Sequence, residues 1–177
     1  MTALRHFATA DASPACLSEI RRLVDAAFGD RFTDDDWDHA LGGRHVVALD
    51  GGRVVAHAAV VPRVIEVSGR PFRTGFVEAV ATDAARQGEG IGSTVMDEIN
   101  AIVRSRFELG ALSTGRVSFY ERLGWERWQG PTYARYGTDI VRTYDEDGYV
   151  FVLRFGPSAG IDLAAPISCE SRPGDDW

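Results

Sequence analysis

The stretch FVEAVATDAARQGEGIGSTV, Phe76 to Val95, decides how the rest of the chain reads. Its opening, FVEAVAT, alternates as a strand does; a polar segment follows, and a glycine-rich turn opens a helix at about Gly90 to Gly92. A helix start leaves four backbone N–H groups unpaired at the positive end of its dipole, so glycines here let a pyrophosphate come close to those donors. A purely conformational need for glycine in a strand-to-helix turn accounts for the same residues. The spacing differs from the dinucleotide fingerprint, whose first glycine directly follows the strand. Here Asp83 to Arg86 intervene before Gln87-x-x-Gly90-x-Gly92.

Downstream, Ile91, Val95, Ile99, Ile102, Val103 and Phe107 recur at steps of three and four, the apolar face of a central helix. Leu109 to Leu112 reads as a buried strand, and Val117 to Leu123, closed by Gly124, as a short helix. Trp125 to Arg135 and Tyr149 to Phe155 are two further strands, and residues 156–177 an irregular tail.

Upstream, Ser13-Pro14 starts a helix whose apolar positions run from Leu17 to Phe28 and which Gly29 ends, after a first strand over Leu4 to Ala8. Thr33 is the N-cap of a second helix with Asp34 to Asp36 in its first turn. His45 to Leu49 and Val54 to Val67 are strands joined through Asp50-Gly51-Gly52, and Ser68-Gly69-Arg70 turns into Phe72 to Thr82. These three strands are expected to be antiparallel neighbours.

The chain has 177 residues, 45% of them hydrophobic, enough for a single domain over 1–177. No apolar run nears the roughly 18 residues of a membrane span, and the N-terminus lacks a signal-peptide pattern, so a soluble, cytoplasmic protein without a membrane partner is expected. A net charge of −7 argues against nucleic acid and for a cationic small-molecule substrate. Acids cluster at Asp34 to Asp36, Asp145 to Asp147 and Asp175-Asp176. Two cysteines, Cys16 and Cys169, make neither a disulfide framework nor a zinc site; burial is the expected role of both, and no metal is expected.

The Gln87-x-x-Gly90-x-Gly92 spacing resembles the acetyl-coenzyme A signature of the Gcn5-related N-acetyltransferases, whose order of elements matches the one read above. Longer stretches, namely ALGGRHVVAL from Ala40, VVAHAAVV from Val54, FVEAVAT, ELGALS from Glu108, FYERLGW from Phe119 and the end RPGDDW, together resemble the aminoglycoside 2'-N-acetyltransferases. The resemblance implies an α+β (α/β sandwich) fold, a mostly antiparallel mixed sheet flanked by about four helices, with acetyl-coenzyme A as cofactor and a homodimer as candidate assembly. It implies that the backbone of Val80 and Thr82 pairs with pantetheine, while Gln87, Gly88, Glu89, Gly90, Ile91, Gly92 and Ser93 hold the phosphates and Arg86 adds charge beside them.

Acetyl transfer to an amine needs a base to free the nucleophile and an acid for the departing thiolate. Polarity at Glu78, in an otherwise apolar strand, asks for a reason. The resemblance makes Glu78 the base, through a water, and Tyr120 the acid. It also sends the tail into the acceptor pocket, with Asp175 and the Trp177 carboxylate meeting ammonium groups, contributing carboxylates rather than core, and Asp36, Ser113, Glu146 and Asp147 beside them. Family members read Gly-Asp-Phe after the first helix, whereas this chain reads Gly29-Asp30-Arg31-Phe32, which puts Arg31 at a substrate-binding carboxylate position. A cation there suits kasugamycin, which carries a carboxylate; the resemblance implies antibiotic resistance as the outcome. Acetylation of another amine, such as a polyamine or peptide, and non-catalytic acyl-coenzyme A binding or drug sequestration are the alternatives.

Overall fold

Chain order and pairing follow from where the apolar alternation runs and where glycine, proline and capping residues interrupt it. The computed structural model describes residues 2–177, and its contacts divide them into two compact units. The first holds the chain through Val61 together with Val77–Ala101; the second holds Pro62–Phe76 with Ile102–Trp177. No helix among the described residues is long and apolar enough to cross a membrane.

In the first unit, β1 (Ala3–Ala8) pairs antiparallel with β2 (Arg44–Asp50), which pairs antiparallel with β3 (Arg53–Val67). Helix α1 (Pro14–Phe28) begins where Ser13 accepts the Cys16 N–H at 3.2 Å with Pro14 in the first turn. Its buried face, Ile20 and Val24, packs with Val47, Val54 and Ala81. Burying two such side chains stabilises the unit by roughly 1.5–3 kcal/mol each. Helix α2 (Asp34–Ala40) is closed at its start by a reciprocal capping box: Thr33 Oγ1 accepts the Asp36 N–H at 3.2 Å, and Asp36 Oδ2 accepts the Thr33 N–H at 2.8 Å. The C-terminal part of β4 (Arg70–Thr82) and most of α3 (Ile91–Arg106) complete this unit.

The second unit adds β5 (Leu109–Ser113), α4 (Val117–Arg122), β6 (Glu126–Arg127), β7 (Thr132–Tyr136), β8 (Asp139–Arg142), β9 (Val150–Arg154) and β10 (Ile167–Glu170). Its strand order is β6-β9-β5-β4-β3-β10-β7-β8, with β3 and β4 entering through their 62–67 and 70–76 portions. β5 runs parallel to β4 from Thr74↔Leu109 to Phe76↔Ala111 and antiparallel to β9, while β10 is parallel to β7 and antiparallel to β3. The sheet is mixed, and with four helices the fold is α+β.

Two expectations are corrected here, and one strand is added. The single strand read over Trp125 to Arg135 is two, β6 and β7. Between them the Trp128 indole and the Gln129 and Gly130 amides turn to carbonyls of residues 163–165, and a Cβ at Gly130 would sit 2.1 Å from the Ala165 oxygen, so only glycine passes there. Strand β8, mostly exposed, carries no alternation that sets it apart from a loop. Residues 156–177 are not wholly irregular, because β10 inserts into the sheet between β3 and β7.

Candidate functional site

Within the first unit, the loop after β4 has the form an anion cradle requires. Asp83 caps a single turn over Ala84–Arg86 by accepting the Ala85 N–H at 3.0 Å, and the chain then passes through Gly88 at φ +84° and Gly90 at φ +81° before α3 begins at Ile91. No atom lies within 4 Å of where a Cβ would stand at either glycine, so it is the left-handed backbone, not crowding, that requires glycine. Gly90 gives its carbonyl to the Thr94 N–H at 3.0 Å, the first helical bond. Residues 87–90 are exposed, and Gly92 and Ser93 half-buried, leaving the start of α3 open to a phosphate.

Arg86 is held rather than free: Nη1 lies 2.5 Å from Asp50 Oδ2, and Nε and Nη2 reach Glu89 at 3.0 and 2.9 Å. Two carboxylates therefore neutralise the guanidinium at the rim of the loop, and the amides carry the anion-binding character. Gly90→Asp, which forces a side chain into the left-handed region and adds an anion, is expected to weaken acetyl-coenzyme A binding by well over tenfold in calorimetry, with unchanged affinity as the contrary result.

Glu78 is half-buried in β4, as are Val80 and Thr82. Between Glu78 and Val80, Ala79 adopts φ +50°, a left-handed conformation rare for a residue with a side chain, which breaks the regular alternation of β4. The Ala79 carbonyl accepts a hydrogen bond from the buried His57 ring at Nδ1, 2.8 Å away.

The remaining first-unit candidates stand apart from this loop in role. One oxygen of the Asp36 carboxylate, Oδ2, accepts both the Thr33 amide and hydroxyl in the α2 cap. Arg31 closes a short turn over Gly29–Arg31 and is exposed, and Asp34 is paired with Arg21 at 3.1 Å.

In the second unit, Tyr120 in α4 is buried with its ring edge-on to Phe119 and Trp125. Burial pushes its phenol pKa well up, against a smaller downward pull from Arg116, so the hydroxyl stays protonated at neutral pH, the form able to give up a proton.

Ser113, at the end of β5, donates its hydroxyl to Glu146 Oε2 at 2.8 Å. Burial raises the Glu146 carboxyl above the usual range; Ser113 opposes this, and the charges of Asp175, Asp145 and Asp176 add to it. Ser113 and Glu146 are thus joined directly, and the tail's acids act on Glu146 through their charge. Asp147 is different: Arg142 grips both of its oxygens at 2.8 and 2.5 Å and holds its carboxyl below the usual range, and Thr132 Oγ1 adds a bond at 3.2 Å.

The tail is also more structural than its sequence predicts. Asp175 is exposed, but Trp177 is only 5% exposed, and its indole N–H donates to Thr143 Oγ1 at 3.2 Å. Tyr136 donates to Asp176 Oδ2 at 2.6 Å, and the Asp176 carbonyl accepts from Arg63 at 2.7 Å and from the Cys169 thiol at 3.3 Å. Carboxylates rather than core was the expectation; the corrected reading is carboxylates carried on a packed plug. Thr143, Tyr136 and Arg63, which sequence reasoning missed, hold that plug, and none lies in a motif that would mark it. Trp177→Ala should lower unfolding free energy by about 3 kcal/mol, the low end for truncation of a buried aromatic. Urea denaturation checks this, and a loss under 1 kcal/mol would mean the plug is ornamental. Of the two cysteines, Cys169 is buried as expected, while Cys16 is half-buried.

A family model described as acetyltransferase (GNAT) domain matches residues 10–128. The chain is 40% identical over 174 residues to an aminoglycoside 2'-N-acetyltransferase of Mycolicibacterium fortuitum, an alignment covering 96% of this chain and 89% of that protein. Among solved structures it superposes on a GNAT family acetyltransferase from Brucella melitensis in complex with acetyl-CoA, with a TM-score of 0.65, 23% identity and 94% of each chain covered. It also matches a probable N-acyltransferase from Enterococcus faecalis, with a TM-score of 0.60 and 18% identity over 72% of this chain; there it spans 33% of the longer protein's length. The family match over most of the chain, joined to 40% identity across nearly its full length, places this protein among the GNAT acetyltransferases, in the aminoglycoside 2'-N-acetyltransferase family.

Proposed function

We propose that the protein transfers the acetyl group of acetyl-coenzyme A to the 2'-amino group of an aminoglycoside, with kasugamycin as the favoured acceptor and resistance as the consequence. The observation that carries the acceptor class is the grouping of Ser113, Glu146, Asp175 and Asp176 in the second unit, an anionic surface suited to ammonium groups. The relative from Mycolicibacterium fortuitum, named for this activity, supports the same reading.

Acetyl-coenzyme A supplies the thioester. The amides of residues 87–93 hold its pyrophosphate, and the backbone of Val80 and Thr82 pairs with its pantetheine arm as an added strand would. Glu78, through a water, takes the proton from the acceptor ammonium. The freed amine forms the new N–C bond as the C–S bond breaks; Tyr120 gives its proton to the departing sulfur and is reprotonated by the second proton that the nitrogen sheds as the amide forms. Neither cysteine serves as an acetyl carrier: burial lifts the Cys169 thiol to about 11 and raises that of Cys16, so neither is a ready thiolate. Direct transfer in a ternary complex is the outcome.

Incubating the protein with acetyl-coenzyme A and a panel of aminoglycosides, polyamines and peptides, then weighing the products, tests the reading; acetylation of the polyamine or peptide alone would replace it. Arg31 carries the preference for kasugamycin. Because it is exposed, Arg31→Asp should lower kcat/KM for kasugamycin by up to about fivefold, the scale of an exposed ion pair, with acetyl-coenzyme A affinity unchanged. Ready acetylation of gentamicin with kasugamycin ignored would reverse the assignment.

A further inference from the structure

Two histidines lie fully buried in adjacent strands of the first unit, His45 in β2 and His57 in β3, where the surrounding positions are Val and Ala. Burying two imidazoles is costly unless every ring nitrogen is paired. Here all four are. His57 Nδ1 lies 2.8 Å from the Ala79 carbonyl, His57 Nε2 lies 2.9 Å from His45 Nδ1, and His45 Nε2 lies 2.8 Å from Thr9 Oγ1. Thr9 Oγ1 in turn accepts the Gly42 N–H at 3.1 Å, and Phe7 stacks on the His45 ring.

The direction of this chain is fixed by its far end. A carbonyl can only accept, so His57 carries a proton on Nδ1, and because burial keeps the ring neutral its Nε2 offers a lone pair. His45 must then donate from Nδ1, which leaves its own Nε2 as the acceptor for the Thr9 hydroxyl, whose single proton goes to that nitrogen at 2.8 Å in preference to the Gly43 carbonyl at 3.3 Å. Both rings are neutral and both are Nδ1–H tautomers. Burial, joined at His57 by the proximity of His45, lowers both pKa values, to about 4 for His45 and about 3 for His57, which agrees with the bonding pattern.

The chain ends on the one strand residue that needs holding. A left-handed alanine costs on the order of 1–3 kcal/mol and persists only where its surroundings over-determine it. Ala79 is the residue between Glu78 and Val80, so its dihedrals set how both neighbours leave the strand. We propose that the Thr9–His45–His57 relay is a positioning device for acetyl transfer, in which the His57 Nδ1–H fixes the left-handed Ala79 and thereby the placement of Glu78 and Val80. This rests on the reading of Glu78 as base.

The test uses the full chain with His57→Leu, which removes the donor, and His57→Asn, whose amide nitrogen stands near the place of Nδ1. In His57→Leu, kcat at saturating acetyl-coenzyme A should fall about tenfold to a hundredfold, the scale of a small misplacement of a reacting group, and His57→Asn should recover most of it. Carbon chemical shifts of Ala79, which report its backbone conformation without any turnover, should leave the left-handed range in His57→Leu and return in His57→Asn. Nitrogen shifts of the wild-type rings should give neutral Nδ1–H tautomers for both. Should His57→Leu not fold, Thr9→Val, which takes only the relay's first hydroxyl, is read for the same Ala79 and ring-nitrogen signals, and a shift of the His45 Nε2 resonance is expected. An Ala79 that stays left-handed without its donor, or a His57 protonated at Nε2, overturns the proposal. Glu78→Gln measured alongside separates the two readings: if it leaves kcat intact, the base assignment fails, whereas slow Glu78→Gln with unaltered His57→Leu sinks the relay alone.

Discussion

Glu78→Gln is expected to lower kcat/KM by about 10² to 10⁴, with acetyl-coenzyme A affinity retained, because the amide keeps the shape of the proposed base but cannot take a proton. The loss is deepest below the apparent pKa of the acceptor amine, where the substrate arrives as an ammonium and deprotonation limits the rate, and it shrinks as rising pH delivers free amine. Steady-state rates across that range, paired with calorimetry for the cofactor, measure both parts. Near-native turnover at all pH values with the cofactor bound would show that water alone, or another group, removes the proton. A uniform loss at every pH, joined to weakened cofactor binding, would instead assign Glu78 to holding the strand.

Tyr120→Phe is expected to give the second large effect, again about 10² to 10⁴ in kcat, on the thiolate departure proposed for it. The phenylalanine fills the same buried space edge-on to Phe119 and Trp125, so packing and fold are kept while the one dissociable proton is lost. Since burial holds the phenol protonated far into the alkaline range, no decline in rate from its ionisation is expected at moderately basic pH. An acetyl donor with a more acidic thiol should recover much of the variant's rate, because a better leaving group needs less help. Failure of such a donor to recover activity would place Tyr120 in packing rather than proton transfer.

How much of this was legible in the sequence depended on the range of the signal. The Ser13-Pro14 start, the Thr33 cap, the turn through Gly51-Gly52 and the loop leading into α3 are written in neighbouring residues, and the structure has each where the local pattern puts it. What eluded reading lies in pairings between distant residues. Asp36 looks like a free carboxylate in a string of acids until the Thr33 amide is seen to occupy it. The break between β6 and β7 is caused by the carbonyls of residues 163–165, more than thirty positions away, and β10 joins the sheet from a segment of mixed polarity. His45 and His57 are unremarkable letters in two apolar strands; only strand register makes them neighbours, and only the backbone angle of Ala79 gives them a purpose. The anionic tail was readable as charge, but not as a packed element, because Trp177 finds Thr143 and Asp176 finds Tyr136 through tertiary contact alone.

The tail's seal over Cys169 has a kinetic side. Cys169 has no exposed surface, and its thiol donates to the Asp176 carbonyl, whereas Cys16 is half-buried on α1. An alkylating reagent therefore meets one thiol at a rate set by its own chemistry and the other only when the packing around it, its contact with Asp176 included, opens. The ratio of the two labelling rates within one molecule is a clock for that opening.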